Sequence, residues 1–203
     1  MKCLKLIFCL LYLCCSLAEA KEVQVDAQKE VDEMTGRLVA SYLEAKVDED
    51  IIAGYASALR SDGSFPDLDY VTVHEGSFYP AGSHLKRLKL MAIAYRKPGN
   101  KYYNSGRLLK QIVAGIDYWY RVRPKSGNWW FGDIGAPQDY MVPLILLKGK
   151  ISDKKLLHYS SYLQDLTVNK GHKGKNRTWV SAVTIHKGCI ENNIELIRIG
   201  IKS

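Results

Sequence analysis

From Val31 to Ile197 the apolar residues return every three or four positions, and no stretch alternates apolar and polar side chains over a useful length. A period near 3.6 lines such residues along one face of a helix, whereas a half-buried strand needs a period of two. The chain is therefore restricted to helices packed on helices. Val31, Met34, Leu38, Tyr42 and Ala45 mark a first helix, and Ile51, Ile52, Tyr55 and Leu59 a shorter second one beyond the acidic stretch Asp48 to Asp50. "SDGSFPDLDY" then breaks the pattern at Gly63 and Pro66, and the stretch up to Gly82 reads as loop.

Ser83 is the expected cap of a helix carrying Leu85, Leu88, Ala92 and Tyr95, stopped at Pro98-Gly99. A strongly amphipathic helix follows with Leu108, Leu109, Ile112, Val113, Ile116, Trp119 and Tyr120, ending near Arg123-Pro124. "NWWFGDIGAP", from Asn128 to Pro137, reads as a glycine-rich loop, with Pro137 in the first turn of a helix through Met141 and Leu147. Pro143 is placed to kink that helix. Ser152 caps the next, with Leu156, Tyr159, Leu163 and Leu166, and "NKGHKGKN" separates it from a last pair. Those two carry Val180, Val183 and Ile185, then Ile190, Ile194 and Ile197.

Helices of roughly 10 to 20 residues in series, joined by alternately short and long connections, predict an all-α fold of stacked antiparallel helical hairpins. No low-complexity linker divides them, and 203 residues, 47% hydrophobic and 25% charged, suit one globular core. The long connections are Phe65 to Gly82, Asn128 to Pro137 and Lys170 to Asn176. If they share a rim, they share a site.

Residues 1–20 carry a basic start at Lys2 and Lys5, the apolar run "LIFCLLYLCC" and the small-x-small site Ala18-Glu19-Ala20. This is the pattern of a signal peptide cleaved after Ala20, which leaves residues 21–203 and implies a secreted or periplasmic product. The run is shorter than the roughly 20 apolar residues of a membrane-spanning helix, so no membrane span is expected. A lipoprotein cysteine at Cys14 or Cys15 is disfavoured by the bulky Leu13. Four of the five cysteines fall in this segment, so the remaining Cys189 has no disulfide partner and reads as a small buried residue. Without Lys2, Lys5 and Glu19 the chain keeps 27 basic and 20 acidic residues, a net charge of +7. Such a balance outside the cytoplasm fits an anionic partner or a surface charged for solubility. No zinc-finger spacing, phosphate loop or RNA-binding signature points to nucleic acid.

Asn128, Trp129 and Trp130 set two large flat apolar faces beside an amide, the combination that suits sugars, whose CH faces are ringed by hydroxyls. The other reading of the tryptophans is that they plug the core. "KGHKGKNRTWV", from Lys170 to Val180, is basic and brings Asn176, Arg177 and Thr178 to a helix start. Backbone amides there, with an asparagine amide, can hold a carboxylate. Capping alone would equally explain asparagine and threonine at that place. His74, His84, His158, His172 and His186 show no metal-ligand spacing, and neither metal nor cofactor is assigned.

Two of these motifs together resemble polysaccharide lyase family 8, the chondroitin AC, hyaluronate and xanthan lyases. "NWWFGDIGAP" is similar to that family's Asn-Trp-Trp, three-residue gap, Ile-Gly-x-Pro signature, and "KGKNRTWVS" to its Thr-Gly-Ala-Asn-Arg-Thr segment. Their order and spacing agree, and so does the upstream "DGSF" turn; the similarity runs from about Leu59 onward. The resemblance implies a partial α/α toroid and β-elimination on uronic-acid polysaccharides, glycosaminoglycans among them. It makes Asn176 the residue that neutralises the uronate carboxylate, with Asn128, Trp129, Trp130 and Arg177 binding the substrate. A histidine and a tyrosine, the latter as general base, complete the family's site some tens of residues further on.

This sequence departs from the pattern at Gln138, where arginine is frequent, and at Lys173-Gly174-Lys175 in place of Thr-Gly-Ala. Its last residue is Ser203, so His172, His186 and Tyr159 are not assigned to the missing roles. The expectation is the N-terminal portion of a secreted lyase, inactive by itself, that meets an acidic polysaccharide and a missing C-terminal portion or self-associates. The alternative is a non-catalytic helical module that binds acidic glycan.

Overall fold

The computed structural model describes residues 26–163, 168 and 171–203. The expected signal peptide over residues 1–20, with Cys14 and Cys15, lies outside the described residues, as do Leu166 and Lys170. The described residues hold no strand, and none of their helices is long and apolar enough to cross a membrane.

The first helix, α1, spans residues 26–43, and α2 runs Glu49–Ala58. The hairpins follow as α3 (Gly82–Arg96), α4 (Gly106–Val122), α5 (Ala136–Leu147), α6 (Asp153–Ser160), α7 (Gly174–Glu191) and α8 (Ile194–Lys202). A short 3₁₀ turn, Ser161–Leu163, extends α6. The helix starts obey local chemistry. Asp48, Ser105, Ser152 and Asn193 each turn a side-chain oxygen onto a backbone N–H of the first turn of α2, α4, α6 and α8. Arg123 and Asn192 close α4 and α7 in the left-handed conformation.

Helices α3, α5 and α7 pack side by side, and α4 and α6 lie against them. The burial patterns separate the two kinds. In α5 every residue from Tyr140 to Leu147 is buried, because it is enclosed by α3, α6 and α7. Helix α4 buries one stripe, Leu108, Ile112, Gly115, Ile116 and Trp119, and leaves its opposite face to solvent. Alternation of enclosed and amphipathic helices is the layering of an α/α array.

Three expectations need correction. Ser83 is not the cap of α3: Ala81 occupies that position without a side-chain bond, and the N–H groups of Gly82, Ser83 and His84 are taken by the carbonyls of Tyr79, Pro80 and Ala81. Ile190 belongs to the end of α7 rather than to the last helix, since the break falls at Asn192-Asn193. Most consequentially, helix begins well before Pro137. Trp129 and Trp130 are already helical, and a π turn, Phe131–Gly135, carries the chain into α5 without a loop.

Two buried histidines tie the layers together. The His84 ring accepts from the Tyr70 hydroxyl at Nδ1 (2.9 Å) and donates from Nε2 to the Gly115 carbonyl of α4 (2.9 Å). Tyr70 in turn accepts the Phe65 N–H at 3.0 Å, so one chain of bonds fastens the long connection before α3 to both helices. Neutral imidazole satisfies every link, and burial lowers the His84 pKa to about 4. His186 on α7 likewise donates from Nδ1 to the Ala182 carbonyl and accepts from the Tyr42 hydroxyl of α1 at 2.8 Å. Cys189 is fully buried, as its apolar surroundings in the sequence suggest.

Candidate functional site

The site grows from the end of α4. After Pro124 the chain turns back, and the Gly127 N–H donates to the His74 carbonyl at 3.1 Å. Asn128 then caps the new helix, its Oδ1 accepting the Trp130 N–H at 3.0 Å, while its Nδ2 donates to the Gly76 carbonyl at 2.9 Å. Tyr79 adds a bond from its hydroxyl to the Pro124 carbonyl. The connection before α3 and the segment before α5 are thereby one rim.

The third long connection reaches the same place. The His172 ring lies parallel to Trp129, with an interplanar angle of 11° and centroids 5.9 Å apart. Trp179, on the second turn of α7, meets Trp130 edge-on at 5.5 Å. Asn176 precedes Trp179 by three residues and so lies on the same side of α7. The three connections do converge.

Within this rim the two tryptophans differ. Trp129 is 55% exposed, a large apolar face left in water, while Trp130 is half-buried between Phe131 and Trp179. Trp130 and Phe131, with Tyr79, Lys86, Gln138 and Asp139, line a cleft of about 130 Å³. Burial pushes the Asp139 carboxyl up, and Lys89 at 3.6 Å and Lys86 oppose that shift. The tyrosine of this cleft is no base at neutral pH: burial drives the Tyr79 hydroxyl far above its ordinary value, and it already donates to Pro124.

A π turn holds one extra residue, which re-aims side chains, and here the fit is close. A Cβ on Gly135 would sit 2.7 Å from the Trp130 ring and 3.2 Å from that of Phe131. Gly135→Ala is therefore expected to displace Trp130, at a cost of about 1–3 kcal/mol, the usual range for overpacking. Thermal melts together with the tryptophan emission maximum check this; an unchanged melt with unchanged emission would show that the ring yields without strain.

At the start of α7 the residue in the capping position is Lys173, and it makes no side-chain bond. Asn176 lies inside the first turn and, among the described residues, its amide has no hydrogen-bond partner. Capping thus does not account for it. Arg177 is not brought to the tryptophans. Its Nε donates to the Ser203 carbonyl at 2.7 Å, in a recess beside Ser181 and Gly200. Two residues apart on a helix means about 200° around its axis, so Arg177 and Trp179 face opposite ways. His172 and Trp179 are the members of the site that residue patterns alone do not single out, although Trp179 stands one turn from Asn176. Among the described residues no cluster of three or more His, Cys, Asp or Glu could hold a metal ion.

Comparison with known proteins agrees with this architecture. Chondroitinase-AC of Pedobacter heparinus is 27% identical over 148 residues, covering 72% of this chain but 21% of that protein. A hyaluronate lyase of Enterococcus faecalis is 33% identical over 88 residues, which is 39% of this chain and 9% of the relative. A solved chondroitinase AC lyase, studied in complexes with oligosaccharides, superposes with a TM-score of 0.76 at 23% identity over 85% of this chain and 26% of its own. The Streptomyces coelicolor chondroitin AC lyase, solved with chondroitin sulphate, superposes with a TM-score of 0.72 at 15% identity, covering 86% of this chain and 26% of its own. At those identities the superpositions establish the helical fold, and the chain spans about a fifth of the curated chondroitinase's length. The family model for the polysaccharide lyase family 8 N-terminal alpha-helical domain matches residues 38–203, and the chain belongs to that family.

Proposed function

We propose that residues 21–203 are the N-terminal portion of a secreted lyase that cleaves uronic-acid-containing polysaccharide of the glycosaminoglycan type by β-elimination. The observation that carries the reading is Trp129, an indole face 55% exposed at the junction of three connections, beside the first turn of α7. A sugar ring stacked on Trp129 would lie next to the Asn176 amide and the backbone N–H groups of α7, where a helix N-terminus attracts a carboxylate. Trp130 gives the sugar a second, recessed aromatic edge. Asn128 holds the pair in register, while Arg177, turned to Ser203 on the other side of α7, takes no part in this platform.

The chemistry explains why a carboxylate site matters. Elimination removes the proton at C5, forms the C4–C5 double bond and releases the 4-linked oxygen with its electron pair, which takes up a proton. Charge spreading from C5 onto the carboxylate must be stabilised, and the Asn176 amide with the α7 N-terminus supplies donors for it. Tyr79 in the adjoining cleft is not assigned as the base, because burial raises its hydroxyl and it already donates to the Pro124 carbonyl.

Trp129→Ala is expected to weaken binding of a chondroitin hexasaccharide by about 30-fold, the equivalent of losing about 2 kcal/mol at an aromatic anchor. Calorimetry on the purified chain reads the affinity, and the absorbance of the 4,5-unsaturated uronate reads turnover. Equal affinity in wild type and variant would remove Trp129 from the site. The alternative, a non-catalytic glycan-binding module, predicts the same binding and no unsaturated product under any complementation with a C-terminal lyase portion.

A further inference from the structure

The cleft of about 130 Å³ beside Trp130 has a lining of two kinds. Three aromatic residues supply the apolar part: the Tyr79 and Phe131 rings have centroids 5.2 Å apart, and Trp130 meets Phe131 edge-on at 5.3 Å. The Tyr79 hydroxyl is bonded to the Pro124 carbonyl, so this residue offers the cleft its ring. Lys86 of α3 with Gln138 and Asp139 of α5 supply the polar part. Asp139 faces Lys89 at 3.6 Å. Among the described residues neither Lys86 nor Gln138 makes a hydrogen bond or an ion pair.

Size and charge narrow what such a space can take. At about 30 Å³ for each water-sized atom it holds about four non-hydrogen atoms, a substituent of a sugar rather than a whole ring. A carboxylate or sulphate would meet Asp139, and an ammonium group would meet Lys86 and Lys89; a neutral group escapes both repulsions. That group must accept from Lys86, which only donates, and it can exchange a bond with Gln138, whose amide does both. Its apolar end would lie against the three rings. An acetamido group has this size, a carbonyl, an N–H and a methyl.

We infer that the cleft is the subsite for the acetamido group of an N-acetylhexosamine that adjoins the uronate at Trp129. The inference rests on the reading of Trp129 as a sugar platform. Trp130 joins the two places, since it follows Trp129 directly in the helix and lines the cleft. The methyl packs against Phe131, Tyr79 and Trp130, the carbonyl accepts from Lys86, and the N–H donates to the Gln138 amide oxygen. The chain thereby selects polysaccharides that alternate uronate with N-acetylated amino sugar over uronate polymers that lack one.

The test uses the full chain and a chondroitin hexasaccharide in three forms, with its N-acetyl groups intact or replaced by N-formyl or N-butanoyl. Calorimetry reads the affinities. The N-formyl probe, which lacks the methyl, is expected to bind about 4-fold more weakly than the N-acetyl one. N-butanoyl, longer than the space allows, is expected to lose about 10-fold. Gln138→Leu keeps the volume of the side chain but removes its amide, and is expected to cost the N-acetyl probe about 5-fold, the scale of one neutral hydrogen bond. Trp129→Ala weakens all three probes alike and leaves their order unchanged. Equal affinities of the three probes for the wild type, or no loss of the N-acetyl probe in Gln138→Leu, would overturn the inference while leaving the platform standing. Failure of Trp129→Ala to weaken any probe would instead overturn the platform reading, and the placement of the neighbouring sugar with it.

Discussion

Acidification from pH 7.5 to 4.5 is expected to cost this protein about 2.5 kcal/mol of folding stability through His84 alone, from a native pKa of about 4 against an ordinary value of 6.5. The sign follows from which state binds the proton. Burial with both nitrogens bonded keeps the native imidazole neutral, while the unfolded chain protonates as the pH passes 6.5. Stability is thus fully present above 6.5 and is lost as the pH falls toward the native value. His186, lowered for the same reason, acts in the same direction. Chemical denaturation of wild type and His84→Gln at pH 7.5, 5.5 and 4.5 isolates the effect. The variant is less stable at neutral pH because two buried hydrogen bonds are disturbed. The gap between the two proteins is expected to close by about 2.5 kcal/mol at pH 4.5, and a constant gap would exclude His84 as the titrating group. Since His84 holds Tyr70, and Tyr70 the connection that carries Gly76, the rim of the site should loosen in the same window.

Gly63→Ala is expected to be more damaging still. Gly63 has φ +90°, and an added Cβ would lie 2.0 Å from the Ala114 carbonyl oxygen and 2.5 Å from its carbon. Those are backbone atoms in the middle of α4, which no rotamer change can move aside. Strain at the disallowed φ and displacement of α4 together amount to more than about 3 kcal/mol. Because Phe65 and its N–H bond to Tyr70 follow two residues later, the loss should propagate into the His84 chain. The check is the denaturation midpoint of Gly63→Ala beside Gly99→Ala. Gly99 also has positive φ, but a Cβ there has nothing within 4 Å, so it measures conformational strain without the collision. Similar midpoints for the two variants would show that contact with α4 is not what requires glycine.

Residue order alone determines that the chain is helical, and nearly where. Leu108 to Tyr120 announces α4 to within a few residues, and Ser152 caps α6, as expected, by a bond that reaches only three positions. Cys189 is correctly read as buried, because an apolar helical stretch needs no distant partner to explain it. The two family motifs, Asn128 to Pro137 and Lys173 to Ser181, also stand in the sequence as they are.

Tertiary structure decides what those motifs do. Gly132 and Gly135 look like loop punctuation, yet helix passes through them as a π turn, because Gly135 makes room for the Trp130 ring and Asn128 anchors the turn to Gly76, 52 residues away. A reading by period has no access to a bond of that span. The same limit hides His172 against Trp129 and Trp179 against Trp130, and it turns Arg177 to the far side of α7 although the residue adjoins Asn176. Periodicity and caps act within one or two turns of chain, so they select the helices. Which helix ends meet, and which rings face water there, depends on packing α3, α5 and α7 side by side around a core that no single stretch contains.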